Sequence, residues 1–157
     1  MKRIVVACGL LLAALSGATC SRPVSPFQVT IIAVTNSRPP APYDYVAPSS
    51  VPAGPTLFRF VNAGTRLHEL RLFRLRRGIS EDSGQVLLVH GRLADSLMDP
   101  AGAVLIAPAH TTAPQEVLAY LKVGELYALM CQLRDSAGAP THDRLGEFAF
   151  LEVRAGK

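Results

Sequence analysis

No hydrophobic run in this sequence is long enough to cross a membrane as a helix. Ile4 to Leu15 spans 12 residues, where about 20 are needed to span a bilayer. Lys2 and Arg3 precede it and Ser16, Gly17, Ala18 and Thr19 follow, which is the layout of a secretory signal peptide. Residues 1–19 are therefore expected to leave and the mature protein to be exported to the periplasm or cell envelope. Two cleavage routes stay open. Cutting after Ala18 releases a soluble protein, and cutting before Cys20 makes that cysteine a lipidation site, the only membrane attachment this reading allows.

Cysteine and histidine are scarce, with three of the first and four of the second. Cys8 lies in the signal and Cys20 in a tether, residues 20–26, that reads "CSRPVSP" with two prolines and no periodicity. A disulfide from such a tail to a core strand is a poor use of the bond, so Cys131 is left as a lone thiol. The sequence also lacks a glycine-rich phosphate loop, a paired-carboxylate site and a Gly-x-Ser-x-Gly elbow. Cys131 and His142 have no third orienting group or oxyanion hole, which argues against an enzyme. The formal charge of +4 falls by two, to about +2, without Lys2 and Arg3. Arg66, Arg71, Arg74, Arg76 and Arg77 form a basic cluster, but few aromatics interleave it and no nucleic-acid motif accompanies it. A solvated strand edge is expected there.

About 137 residues remain after the signal, enough for one domain with its own core over 27–157. Phe27 to Thr35, "FQVTIIAVT", is rich in β-branched residues and predicts the first strand. Six prolines between Pro39 and Pro55 exclude helix from the connection that follows. Leu57 to Val61 and Leu67 to Leu75 read as strands, and alternation puts His68, Leu70 and Leu72 on one face. Ser80 to Met98 carries apolar residues at helical spacing, closed by Asp99-Pro100-Ala101-Gly102. Strands from Gln115 to Lys122 and from Glu125 to Leu133 flank a tight hairpin at Val123-Gly124. The second is apolar on both faces, with Tyr127, Leu129 and Cys131 opposed to Ala128 and Met130, and so predicts a central strand. Glu147 to Val153 forms the last. Six to eight strands and one short helical insertion predict an all-β, antiparallel Greek-key β-sandwich.

Two stretches resemble a known family. "VPAGPTLFRFVNAGTRLHELRLFRL", residues 51–75, is similar to the cupredoxin segment in which a Pro-x-Gly turn leads into a strand ending Asn-x-Gly, with a ligand histidine soon after. "VGELYALMCQL" resembles the strand that delivers the cupredoxin cysteine. Residues 51–154 thus look like a bacterial cupredoxin-like envelope protein of the plastocyanin and azurin fold. The resemblance implies one copper ion held by two imidazoles and a thiolate, with a weak axial donor, usually methionine. Soft sulfur suits Cu(I) and imidazole suits both oxidation states. By position these roles fall on His68, Cys131 and His142, with Glu147 in the axial slot.

The sequence departs from the family pattern twice. Ten residues separate Cys131 from His142, more than the family usually places there, although closing a longer loop costs only about 0.6 kcal/mol per doubling. Glu147 replaces a thioether with a hard anionic oxygen, which favours Cu(II) and admits zinc; a solvent-facing Glu147 at the start of the last strand is the other reading. Asp143 either orients the His142 ring by accepting its N–H or takes a place in the solvated loop, and His90 and His110, without neighbouring donors, are expected on the surface. Two functions remain open: copper binding for electron transfer or copper handling, with a redox partner protein, and a metal-free binding or structural module on the same fold.

Overall fold

The computed structural model describes residues 25–36, 41–90 and 95–156. Residues 1–19, expected to be a signal peptide, and Cys20 lie outside them. Strand β1, Phe27–Thr35, turns Val29, Ile31 and Ala33 inward. It lies between β2, Tyr43–Val46, and β4, Gly54–Asn62. At the far side of β4 pair β8, Thr111–Thr112, and β9, Val117–Leu121. The second sheet runs from β3, Ser50–Pro52, through β11, Phe148–Arg154, and β10, Leu126–Met130, to β5, His68–Leu75, and β6, Met98–Pro100. A short strand β7, Leu105–Ala107, pairs with the first residues of β5. The inner faces of the two sheets meet over Ile31, Phe58, Phe60, Leu70, Leu129 and Leu151, all at most 2% exposed.

Strand β10 is central, between β11 and β5. Its two apolar faces have separate destinations. Tyr127 and Leu129, with Cys131 just beyond the strand, join the core between the sheets. Ala128 and Met130 face outward into a smaller cluster with Phe73, Leu75, Met98 and Phe150, closed by Leu88 of helix α1, Glu81–Val89.

Two features differ from the sequence-based expectation. The sandwich is not wholly antiparallel: β1 pairs with β4 in parallel, and β11 with β3. A parallel pair needs a crossover of a dozen or more residues, and the proline-rich connection over 36–53 is long enough to supply one. It also carries β2 and β3, each at the edge of its sheet. Within 80–98 the short helical insertion runs over Glu81–Val89, followed by a 3-10 turn at Asp95–Leu97. Met98 to Pro100, expected to end the helix, instead pair with the end of β5.

Helix α1 starts where Ser80 and Ser83 cap each other's backbone N–H groups, at 3.2 and 2.9 Å. Gly84 brings it close to the sheet; a Cβ there would stand 3.0 Å from the Phe150 ring. Ser80→Ala is expected to cost about 1 kcal/mol by removing the cap acceptor, read as a lower denaturation midpoint at unchanged slope.

Candidate metal centre

The middle of the second sheet delivers all four candidate donors to one end. His68 opens β5 and Cys131 follows β10, while His142 begins a 3-10 turn, His142–Leu145, and Glu147 immediately precedes β11. Because β5, β10 and β11 are adjacent antiparallel strands, the start of one meets the end of the next. Backbone bonds extend this pairing past the strands. Cys131 N–H donates to the Glu147 carbonyl at 3.2 Å, Asp143 N–H to the Cys131 carbonyl at 2.8 Å, and His142 N–H to the Leu133 carbonyl at 2.9 Å. These bonds pinch the ten-residue loop at its base, so its length does not loosen His142.

One atom from each of the four side chains lies within 4.8 Å of all the others, and every residue is at most 1% exposed. His68 Nδ1 is 2.6 Å from Glu147 Oε2, and His142 Nδ1 is 3.3 Å from the same oxygen. The two Nδ1 atoms are 3.2 Å apart, and Cys131 Sγ is 3.5 Å from His142 Nδ1. A tetrahedral ion with bonds of about 2.0–2.3 Å sets its donors roughly 3.3–3.8 Å apart. Three of these separations fall close to that range. The fourth, between His68 and Glu147, is a hydrogen bond that must lengthen by several tenths of an ångström to admit an ion.

Glu147 is therefore buried, and the solvent-facing reading is corrected. Its backbone is tied in on both sides, the carbonyl to Cys131 and the N–H to the His142 carbonyl at 2.9 Å. The loop directs the side chain inward at the step before β11 begins. Its Oε1 is buried without a hydrogen-bond partner, as are His68 Nε2 and His142 Nε2. Burial, and then the Glu147 carboxylate, pushes the Cys131 thiol well up from its ordinary value. A buried thiol so raised is a poor nucleophile. The backbone N–H of Glu69 reaches its sulfur at 3.4 Å, and the Glu69 carboxylate accepts from Gln132 N–H at 3.1 Å and from Arg71 at 2.8 Å.

A layer sequence reasoning missed covers the two imidazoles. The Tyr43 ring lies 4.3 Å from that of His142 and 5.1 Å from that of His68, and its hydroxyl donates to Asp135 Oδ2 at 2.6 Å. That bond holds the Asp135 carboxyl below its ordinary range, while burial and then Asp135 push the Tyr43 phenol up to about 12. Asp143, for which a role at the His142 ring was weighed, caps the Arg144 N–H instead, at 2.7 Å. It is largely buried rather than solvated. On the Nε2 side of the His142 ring, away from Glu147, the nearby carboxylate is Asp135, seven positions earlier. His90 and His110 are exposed and apart from the cluster. In the basic stretch Arg71 pairs with Glu69, and Arg74 bridges Asp99 and Glu125 at 2.7 and 3.3 Å. Those two cations are held by carboxylates rather than left to solvent alone.

No protein-family model and no curated protein matches this sequence. Solved structures do match. Reduced rusticyanin aligns with a TM-score of 0.51 at 18% identity, over 81% of this chain and 78% of that one. A point variant of rusticyanin aligns at 0.51 with 19% identity, over 81% and 76%. Auracyanin A, described as a "blue" copper protein from the green thermophilic photosynthetic bacterium Chloroflexus aurantiacus, aligns at 0.48 with 15% identity, over 82% and 99%. The likeness to rusticyanin establishes the architecture: this chain is a cupredoxin-like β-sandwich with a short helical insertion. The buried His-Cys-His-Glu group at the end of its second sheet resembles a type 1 copper site with a carboxylate in place of the usual thioether.

Proposed function

We propose that the protein is an exported cupredoxin-like protein that binds one copper ion through His68 Nδ1, Cys131 Sγ, His142 Nδ1 and the Glu147 carboxylate, for electron transfer or copper handling, without catalysing a reaction of its own. The observation that carries this reading is the burial of the four donors at one point, with Glu147 Oε1 left without a hydrogen bond. A buried carboxylate oxygen is costly unless something positive or a donor faces it. A divalent cation supplies that partner and is neutralised by one thiolate and one carboxylate.

Copper bound there would supply a one-electron couple. The chain's own residues set its character. Sulfur favours Cu(I) and imidazole serves both states. The carboxylate favours Cu(II), so the couple is expected at low potential and zinc is a competent rival. Glu147→Met is expected to shift the balance toward Cu(I) roughly a hundredfold, or about +120 mV for a one-electron couple, and to weaken Zn(II) binding at least about tenfold. Spectroelectrochemical titration and chelator competition read the two effects.

The layout of residues 1–19 supports export, and an envelope location, free or held by lipid on Cys20, fits that layout. Among the described residues no helix is long and apolar enough to cross a membrane. A redox partner protein completes the electron-transfer version. The test is a Cu(II) titration of purified protein followed in the visible. One equivalent should develop an intense thiolate-to-copper charge-transfer band that Cys131→Ser abolishes. A colourless sample holding no stoichiometric metal overturns the proposal and leaves a metal-free module on this fold.

A further inference from the structure

We infer that Asp135, held by Tyr43, is the positioning residue for His142: its carboxylate accepts the imidazole Nε2–H when Nδ1 serves as a metal donor. The inference rests on the metal reading above and extends it to the back of one ligand. A neutral imidazole that donates through Nδ1 carries its only ring proton on Nε2. In both histidines that nitrogen is buried and without a hydrogen-bond partner. The two surroundings differ. His68 Nε2 faces the turn at Gly64, where a Cβ would stand 3.1 Å away, and no carboxylate pairs with it among the described residues. His142 Nε2 lies 3.5 Å from Asp135 Oδ1. A shift of about half an ångström brings that pair to hydrogen-bond length.

Asp135 turns one oxygen, Oδ1, toward His142. Tyr43 occupies the other at 2.6 Å, and Arg66 stands 3.8 Å from Oδ1. The same tyrosine packs its ring on the imidazole it helps to orient. One residue thus fixes both halves of the pair. Asp135 is 35% exposed while His142 is 2% exposed at its side chain, so the carboxylate links a buried ligand to the surface. A negative acceptor behind an imidazole strengthens it as a donor and fixes which nitrogen faces the metal. The two histidines are therefore inequivalent: His142 is the stronger donor.

The test uses purified protein with Zn(II) and Cu(II) as probes. Asp135→Asn should weaken Zn(II) about tenfold to a hundredfold, the range for partners of this kind, and raise the copper potential. Tyr43→Phe keeps the ring and removes the strap on Asp135, so it should shift both quantities in the same direction by less. Asp143→Asn, adjacent to the ligand but turned to Arg144, should change neither. In Zn(II)-loaded protein the His142 Nε2–H should give a slowly exchanging NMR signal that moves in Asp135→Asn, a readout a merely structural role would not produce. If wild type binds metal and Asp135→Asn binds it equally well, or if Asp143→Asn loses as much affinity, the inference falls and the metal reading stands. If wild type takes up neither ion, both fall.

Discussion

A thousandfold excess of Zn(II) over its dissociation constant is expected to raise the unfolding temperature by roughly 10–20 °C, and Cys131→Ser to erase most of that rise. The donors come from positions 68, 131, 142 and 147 and meet only in the folded chain. On the proposed metal reading, an ion would therefore bind the native state far better than the unfolded one. An excess of that size contributes about 4 kcal/mol, and for a domain of this length each kcal/mol moves the midpoint several degrees. The effect has a definite pH dependence. The buried thiol holds its proton more tightly than its ordinary value near 9 implies, so binding must expel that proton. Metal affinity should then rise up to about tenfold per pH unit as pH increases toward neutrality, and metal-dependent stabilisation should fade in acid. The metal-free protein should show the opposite slope at high pH. A group whose folded pKa is raised contributes stability below its unfolded pKa and loses it as pH climbs past that value, so the apo form should weaken above about pH 9. Calorimetric scans of both forms from pH 5 to 10 would separate the trends; parallel curves would exclude a thiolate donor.

The main strands were legible because period-two alternation exposes them, while the candidate donors came from the resemblance to cupredoxins. In β10 the two opposed apolar sets, Tyr127 and Leu129 against Ala128 and Met130, already describe a strand buried on both faces, and the structure puts a sandwich core on one and α1 on the other. His68 falls on the same face as Leu70 and Leu72, and all three are buried. What the sequence hid was non-local. The parallel pairing of β1 with β4 depends on where a proline-rich crossover lands, which alternation within either strand does not reveal. The inward turn of Glu147 depends on backbone bonds to Cys131 and His142. The pairing of Asp135 with Tyr43 spans 92 positions and joins a loop to an edge strand. Asp143 is nearer to His142 in sequence, yet its carboxylate accepts from the Arg144 N–H, and it is Asp135 that stands 3.5 Å from His142 Nε2.

Gly146 is the position where a single added methyl should do most damage. It ends the 3-10 turn of His142 at φ 104°, a conformation that side chains other than glycine's rarely adopt. A Cβ there would also meet the Tyr43 carbonyl oxygen at 2.7 Å and the Ala41 Cβ at 2.8 Å. Relieving that clash means moving the backbone of β2 that carries Tyr43, or displacing the step into Glu147. Gly146→Ala should therefore cost about 3 kcal/mol or more, combining backbone strain with overpacking, and should also weaken Zn(II), since both His142 and Glu147 flank the displaced turn. Gly138 supplies the control. It has a positive φ of 82° in the same loop but nothing within 4 Å of its would-be Cβ, so Gly138→Ala should cost only about 1 kcal/mol of strain and leave metal affinity unchanged. Denaturant midpoints and Zn(II) competition on the two variants separate a local conformational penalty from a clash against the site's cover. Equal losses in both would mean that the approach of Gly146 to Tyr43 contributes nothing to holding the centre together.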